Sequence, residues 1–149
     1  MSNDTRKPRI LIAEDNAQGA ELLEAYLSDS PYEVRIAPDG ESALATIREW
    51  NPDLVLLDIM MPKLSGYEVC KRLRADPATR KTAVLMVTAL DQPSDIDRAV
   101  DVGTNDFLTK PINKNELLLR VKAMLESRRQ PDELSATLQY IDAVESARG

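Results

Sequence analysis

Five polar side chains stand directly at the ends of apolar runs: Glu14 and Asp15 after "RILIA", Asp58 after "LVLL", Thr88 near the end of "TAVLMVTA", and Lys110 after "DFLT". Two carboxylates about 4 Å apart repel by roughly 4 kcal/mol at an effective dielectric near 20. If the chain folds so that the three acids meet, the cluster calls for a cation or for protonation. A hard divalent ion with oxygen ligands fits this set, and Mg²⁺ commonly takes one or two carboxylates and completes its shell with phosphate oxygens and water. Beside such an ion, a carboxylate with an ammonium and a hydroxyl nearby is equipped to accept a phosphoryl group, because that chemistry consists mostly of positioning and neutralising charge on the transferring oxygens. Asp58 would then be the nucleophile, forming an aspartyl phosphate. Lys110, Thr88 and the cation would each neutralise one phosphoryl oxygen.

Each residue taken singly has a plainer role. Glu14 and Asp15 could favour the start of the helix that follows Asn16 through its cap and dipole. Asp58 could open a turn, Thr88 could satisfy a backbone group, and Lys110 could be a solvated strand end. Their joint position is what points to chemistry, and it depends on the elements that carry them.

Apolar runs and helical patterns alternate along the chain. "RILIAED" reads as a first strand, and the helical "NAQGAELLEAYLSDS" carries Leu22, Leu23, Tyr26 and Leu27 at helical spacing. "YEVRIA" and "ESALATIREW" form a second pair. "NPDLVLLD" gives a third strand, followed by a loop around Pro62 to Gly66 and the helix "YEVCKRLRAD" closed by Pro77. "TAVLMVTA" with "SDIDRAVDVG", the latter ended by Gly103, and "DFLT" with "NKNELLLRVKAMLESRR" complete the series. Uninterrupted aliphatic runs such as Leu54 to Leu57 belong to strands covered on both faces, as in parallel sheets. The expected fold is α/β: a flavodoxin-like, doubly wound five-stranded parallel sheet of order 2-1-3-4-5 with five helices, plus a C-terminal helical extension. Ligands in that topology bind beyond the carboxyl ends of the strands at the switch point between strands 1 and 3. All five polar residues above fall on that rim.

Bulk properties narrow the chemistry. A chain of 149 residues suits one domain with a short extension, and no apolar run approaches the length of a membrane span. The start "MSNDTRKPRI" lacks the apolar core of a signal peptide, so the expectation is a cytoplasmic protein without membrane contact. The chain contains no histidine, which rules out a Ser-His-Asp triad, a Cys-His pair or an imidazole metal site built from it. The single cysteine, Cys70, reads as a small apolar helix residue. A net charge of -6 without a long Lys/Arg cluster argues against direct nucleic-acid binding, with Arg128 and Arg129 read as a solvated helix end.

With these residues in place, the chain resembles the receiver domains of two-component response regulators. The resemblance covers about residues 8 to 128 and rests on Glu14-Asp15, "DIMMPKLSG" from Asp58 to Gly66, "TA" at Thr88-Ala89 and "KP" at Lys110-Pro111. It implies a phospho-acceptor at Asp58, with Mg²⁺ (or Mn²⁺) held by Asp15, Asp58 and the backbone carbonyl of Met60. Glu14, standing where many relatives carry Asp, would help hold the ion through water. Phosphoryl contacts would come from Thr88 and Lys110, and Phe107 would be the aromatic switch residue. The Lys110-Pro111 bond is implied to be cis. Phosphorylation would draw Thr88 inward, let Phe107 turn, and change the surface of the fourth helix, fifth strand and fifth helix.

The implied partners are a sensor histidine kinase or a histidine phosphotransfer protein as donor, and a downstream output protein or second receiver as reader, with a phosphorylation-dependent homodimer as a further arrangement. The segments "DPATR", "VTALD" and "DFLTKPIN" look most similar to receivers that precede nucleotide cyclase or other signalling output modules. Residues 1–7 are expected to be a flexible N-terminus and 129–149 a helical extension or linker. In that extension Pro131 interrupts the helix, and Leu134, Leu138, Ile141 and Val144 share one side. This stripe reads as packing on the domain's own surface, as a partner contact, or as the start of a linker.

Two rivals share parts of this pattern. A flavin-binding protein of the same fold would need hydroxyls and amides around a phosphate after strand 1, where Glu14 and Asp15 would repel it. An aspartate-nucleophile phosphatase would carry a second Asp two residues after the nucleophile, and that position is Met60. The reading is therefore a switch that catalyses only its own phosphorylation and slow dephosphorylation, with no output enzyme in this chain.

Overall fold

A computed structural model of the chain describes residues 6–128 and 133–148. Eleven elements follow one another: β1 (Arg9–Ala13), α1 (Ala17–Leu27), β2 (Glu33–Ala37), α2 (Gly40–Trp50), β3 (Leu54–Leu57), α3 (Gly66–Ala75), β4 (Ala83–Thr88), α4 (Pro93–Asp101), β5 (Asp106–Thr109), α5 (Lys114–Ser127) and α6 (Glu133–Arg148). The five strands are all parallel in the order β2-β1-β3-β4-β5. This is the flavodoxin-like order expected from the alternation of runs.

The period-2 geometry of the strands divides the core into two layers. Leu11, Ala13, Val55, Leu57, Val84 and Met86 face one side, where Ala43, Ile47, Val69, Leu73 and Ala99 of α2, α3 and α4 cover them. Ile10, Ile12, Leu54, Leu56, Leu85 and Val87 face the other, against Leu23 and Leu27 of α1 and Leu117, Val121 and Met124 of α5. Every residue of β3 and β4 is buried, which is why both read as unbroken aliphatic runs. At about 25 cal/mol per Å² of apolar surface removed from water, this burial anchors the centre of the sheet.

Helix starts are set by short polar caps. Asn16, Asp39, Ser65 and Asn113 each accept a hydrogen bond from the backbone N–H three residues on, at 2.8, 2.8, 3.3 and 3.0 Å. The α1 cap is thus Asn16, whose own N–H donates to Glu14 Oε2 at 3.4 Å. α4 begins at Pro93, one residue before the run read from sequence, because proline suits the first helical turn. Beyond its last residue Asp101 and the cap Val102, the chain turns away at Gly103, whose φ of 97° a side chain would disfavour. No described helix is long and apolar enough to cross a membrane.

Two expectations need correction. Leu22 of α1 is 48% exposed, and the buried stripe of that helix is Ala20, Leu23 and Leu27 with Tyr26 half-buried. In α6, Leu138 and Ile141 are 57% and 45% exposed, whereas Val144 is buried and Tyr140 packs against the α1/α5 layer. The contact face is therefore set by Tyr140 and Val144, one turn apart. A ring with a hydroxyl that reaches a polar partner wins that position over the aliphatic side chains of the predicted stripe. Pro131 and residues 1–5 lie outside the described residues, as does the Leu134 side chain; Arg6 lies within them and pairs with Asp53 at 3.2 Å.

Candidate functional site

The pocket is built where ladders run out. Glu14 N–H donates to the Ala37 carbonyl at 3.1 Å and Asp58 N–H to the Ala13 carbonyl at 3.0 Å, so each acid is fixed by one more ladder bond past its strand. The two side chains then turn off the sheet at the switch point between β1 and β3. Asp58 Oδ1 accepts the Met60 N–H at 3.1 Å, an Asx turn that aims the carboxylate and starts the loop to α3. In that loop Lys63 adopts a positive φ, and Gly66 N–H returns to the Ile59 carbonyl at 2.8 Å.

Lys110 reaches back across the rim. Its Nζ donates to Asp58 Oδ2 at 3.0 Å and also bonds Glu14 Oε1, while its backbone N–H donates to the Thr88 carbonyl at 2.7 Å. The Lys110-Pro111 bond is cis, as the resemblance implied. Glu14, Asp15 and Asp58 each offer a carboxylate oxygen, and these atoms lie within 4.8 Å of one another. Glu14 and Asp58 are buried and Asp15 is exposed, so the cluster opens to solvent through Asp15.

The electrostatics of this set call for more positive charge. Burial pushes the Glu14 carboxyl up to about 7, hydrogen bonding to Asp58 acts in the same direction, and Lys110 works against it. Burial likewise opposes the charge on Lys110, but its bonds to Glu14 and Asp58 prevail and hold the ammonium above its ordinary range. Ionised, three carboxylates face one ammonium, which leaves two negative charges in a partly buried pocket. An all-oxygen donor set with that excess suits a hard divalent cation, so the residues present fit the implied metal.

Thr88 is fully buried at the end of β4, and its Oγ1 accepts the Leu90 N–H at 3.2 Å. It borders Lys110 through the backbone, its carbonyl accepting the Lys110 N–H. Phe107 stands apart from the acids: it pairs with Met86 in the β4–β5 register and is half-buried against the α2/α3/α4 layer. Met60 is 59% exposed beside Asp58.

Sequence reasoning did not anticipate two polar groupings at the amino-terminal ends of β4 and β5, the opposite end of the sheet from the site. The Arg74 guanidinium donates to the carbonyls of Gly103 (2.9 Å), Arg80 (2.8 Å) and Thr82 (2.6 Å) and to Asn105 Oδ1 (2.9 Å), which pins the start of β4 to the turn before β5. Asp106, at the head of β5, bonds Arg120 of α5 and Tyr140 of α6. Partners this far apart in sequence leave no periodic signal.

A doubly wound α/β domain with three carboxylates and a lysine gathered at the β1/β3 switch point presents a set that could hold a metal ion. Comparison with known proteins makes the assignment specific: the family described as response regulator receiver domain matches residues 10–122, and the chain belongs to that family of phosphorylation-dependent signalling domains. It is 43% identical to the response regulator PleD of Caulobacter vibrioides over 126 residues, covering 85% of this chain and 28% of that one. Among solved structures, the signal receiver domain of a signal transduction histidine kinase from Syntrophus aciditrophicus is 33% identical with a TM-score of 0.76, covering 85% of this chain and 95% of that chain. The receiver domain of sensor histidine kinase PA1611 from Pseudomonas aeruginosa PAO1, which has a magnesium ion coordinated in its active-site cleft, is 28% identical with a TM-score of 0.75, covering 80% of this chain and 98% of that chain.

Proposed function

We propose that residues 8–128 act as a cytoplasmic receiver unit that takes a phosphoryl group from a phosphohistidine donor onto Asp58, with residues 129–149 as an appended helical segment. The observation that carries this reading is the contact between Lys110 Nζ and Asp58 Oδ2 inside a cluster of three carboxylates. Asp15, Asp58 and the Met60 carbonyl would hold Mg²⁺ (or Mn²⁺), with Glu14 behind them. The magnesium in the PA1611 receiver supports this choice. When bound, the ion supplies Lewis-acid neutralisation of charge on the phosphoryl oxygens.

The chain's own residues supply the rest. Asp58 presents an oxygen in line with the donor's P–N bond; as the new O–P bond forms, the P–N bond breaks and the histidine nitrogen leaves with its electron pair. Lys110, already bonded to Asp58, is placed to follow the charge onto a phosphoryl oxygen. The Thr88 hydroxyl uses its oxygen to accept from Leu90, which leaves its proton to donate toward the same group. The donor would be a sensor histidine kinase or histidine phosphotransfer protein, since this chain has no histidine. The reader would be an output protein or a second receiver that contacts the α4-β5-α5 surface. No turnover enzyme is proposed within these residues. Intact-mass analysis after mixing with a phosphorylated histidine phosphotransfer protein and Mg²⁺ tests this reading; failure to gain a phosphoryl mass, with EDTA making no difference, would refute it.

The lifetime of the phosphorylated state follows from the residues bordering Asp58. Met60 is exposed and Leu90 half-buried, and neither side chain can orient an attacking water by hydrogen bonding. Met60→Asn with Leu90→Glu should shorten the phospho-Asp58 half-life by about tenfold, below the 10²–10⁴ of a positioned acid or base. Mg²⁺ affinity should change little, because Met60 would offer the ion only its carbonyl. A phosphate-release time course after removal of the donor measures this, and equal decay of the two proteins would contradict it.

A further inference from the structure

We propose that α6 is an intramolecular cover on the α5–β5 flank, and that its hold is loosened when Asp58 is phosphorylated. This rests on the phospho-acceptor reading above. A single carboxylate makes the connection. Asp106 Oδ2 accepts from the Tyr140 hydroxyl of α6 and from Arg120 Nη1 of α5, while Oδ1 accepts the backbone N–H of Phe107 at 2.8 Å. Arg120 is itself held by Glu116 through Nε at 2.8 Å. One side chain therefore ties α6, α5 and the backbone of the residue in the switch position.

The apolar contacts run in the same place. Tyr140 packs against the layer that contains Leu117 and Val121, as does Leu108 of β5, and Val144 is buried one turn further on. Among the described residues of α6, Leu138 and Ile141 are turned to solvent, while Tyr140 and Val144 form its packed stripe and Tyr140 adds a polar bond. A terminal helix docked through a stripe and a polar bond can open locally without the rest of the domain unfolding.

β5 makes the connection to the pocket. It has four residues, from Asp106 at its head to Thr109, and Lys110 follows directly. Thr88 pairs with Thr109, Met86 pairs with Phe107, and Lys110 N–H bonds the Thr88 carbonyl. A strand this short, bonded at both ends, shifts as a unit. Movement of Thr88 and Lys110 toward a group on Asp58 is thus delivered to Asp106, where it alters the distance to Tyr140 and Arg120. The coupling is reciprocal: whatever loosens α6 must also make the pocket easier to occupy.

The test uses the whole chain with Mg²⁺ and beryllofluoride, which stands in for the phosphoryl group. Amide exchange across residues 137–147 should quicken when beryllofluoride is added. Tyr140→Phe keeps the ring and its packing and removes only the hydroxyl bond. It should quicken exchange in α6 without beryllofluoride and raise the affinity for beryllofluoride about fivefold, the lower end of ordinary coupling between sites. If beryllofluoride shifts the amide resonances of Thr88 and Leu90 but α6 exchange and the affinity of the Tyr140→Phe protein stay at their parent values, α6 is a fixed structural helix and the proposal fails while the phospho-acceptor reading stands. If beryllofluoride leaves the Thr88 and Leu90 amides unmoved in the presence of Mg²⁺, the phospho-acceptor reading fails and takes the proposal with it.

Discussion

Asp58→Asn should gain no phosphoryl mass from acetyl phosphate and Mg²⁺ under conditions in which the parent chain is fully modified, and EDTA should reduce the parent to the same level. Asn matches Asp in shape, and its carbonyl oxygen can still accept the Met60 N–H that positions the side chain. What it lacks is the charged oxygen that attacks phosphorus. The variant should also fold at least as stably as the parent in the absence of metal. Asp58 and Glu14 repel each other in a pocket where Lys110 is the cation bonded to both, and removing one carboxylate relieves that repulsion. Asp58 raises the Glu14 pKa, so in the variant that group should titrate lower. A thermal melt beside the intact-mass measurement separates loss of chemistry from loss of fold. Phosphoryl uptake by the variant equal to the parent's would show that another residue is the acceptor.

How much of this was legible in the sequence depended on whether the determining contacts were local. β3 and β4 are buried on both faces and so were written as plain aliphatic runs, and the residues just past such runs could be assigned to one rim by topology alone. That is why Glu14, Asp15, Asp58, Thr88 and Lys110 could be grouped before any coordinates. Leu22 was misread because helical spacing gives the period of a stripe and not its centre, and the neighbouring Leu23 is the residue that faces the sheet. The face of α6 was misplaced for a related reason. Its docking depends on a tyrosine hydroxyl meeting Asp106, 34 residues away, and no pattern within the helix encodes that. Arg74 shows the same limit: a charged residue on a helix reads as solvated until four acceptors from the turns before β4 and β5 close around it.

Among the described glycines, Gly66→Ala should be a strongly damaging addition of a single methyl group. In the sequence this glycine closes the motif "DIMMPKLSG"; its physical constraint is proximity to the acceptor's own backbone. A Cβ placed there would lie 2.3 Å from the Asp58 carbonyl oxygen and 2.7 Å from the Ile59 Cα, and both are backbone atoms that cannot rotate away. Either α3 or the end of β3 must shift. Overpacking of this kind costs about 1–3 kcal/mol. The shift also lands on the residue that does the chemistry, where a displacement of about 1 Å can cost on the order of 100-fold in rate. The contrast is Gly19, whose added Cβ would meet Glu14 Oε1 at 2.9 Å, the far end of a side chain that can yield. Gly66→Ala should therefore lower both the melting temperature and the rate of phosphorylation by acetyl phosphate, and Gly19→Ala should lower each much less. If Gly66→Ala melted with the parent and accepted phosphoryl at the parent's rate, the backbone around Asp58 would be more compliant than this packing allows, and placement of the acceptor would not depend on that close approach.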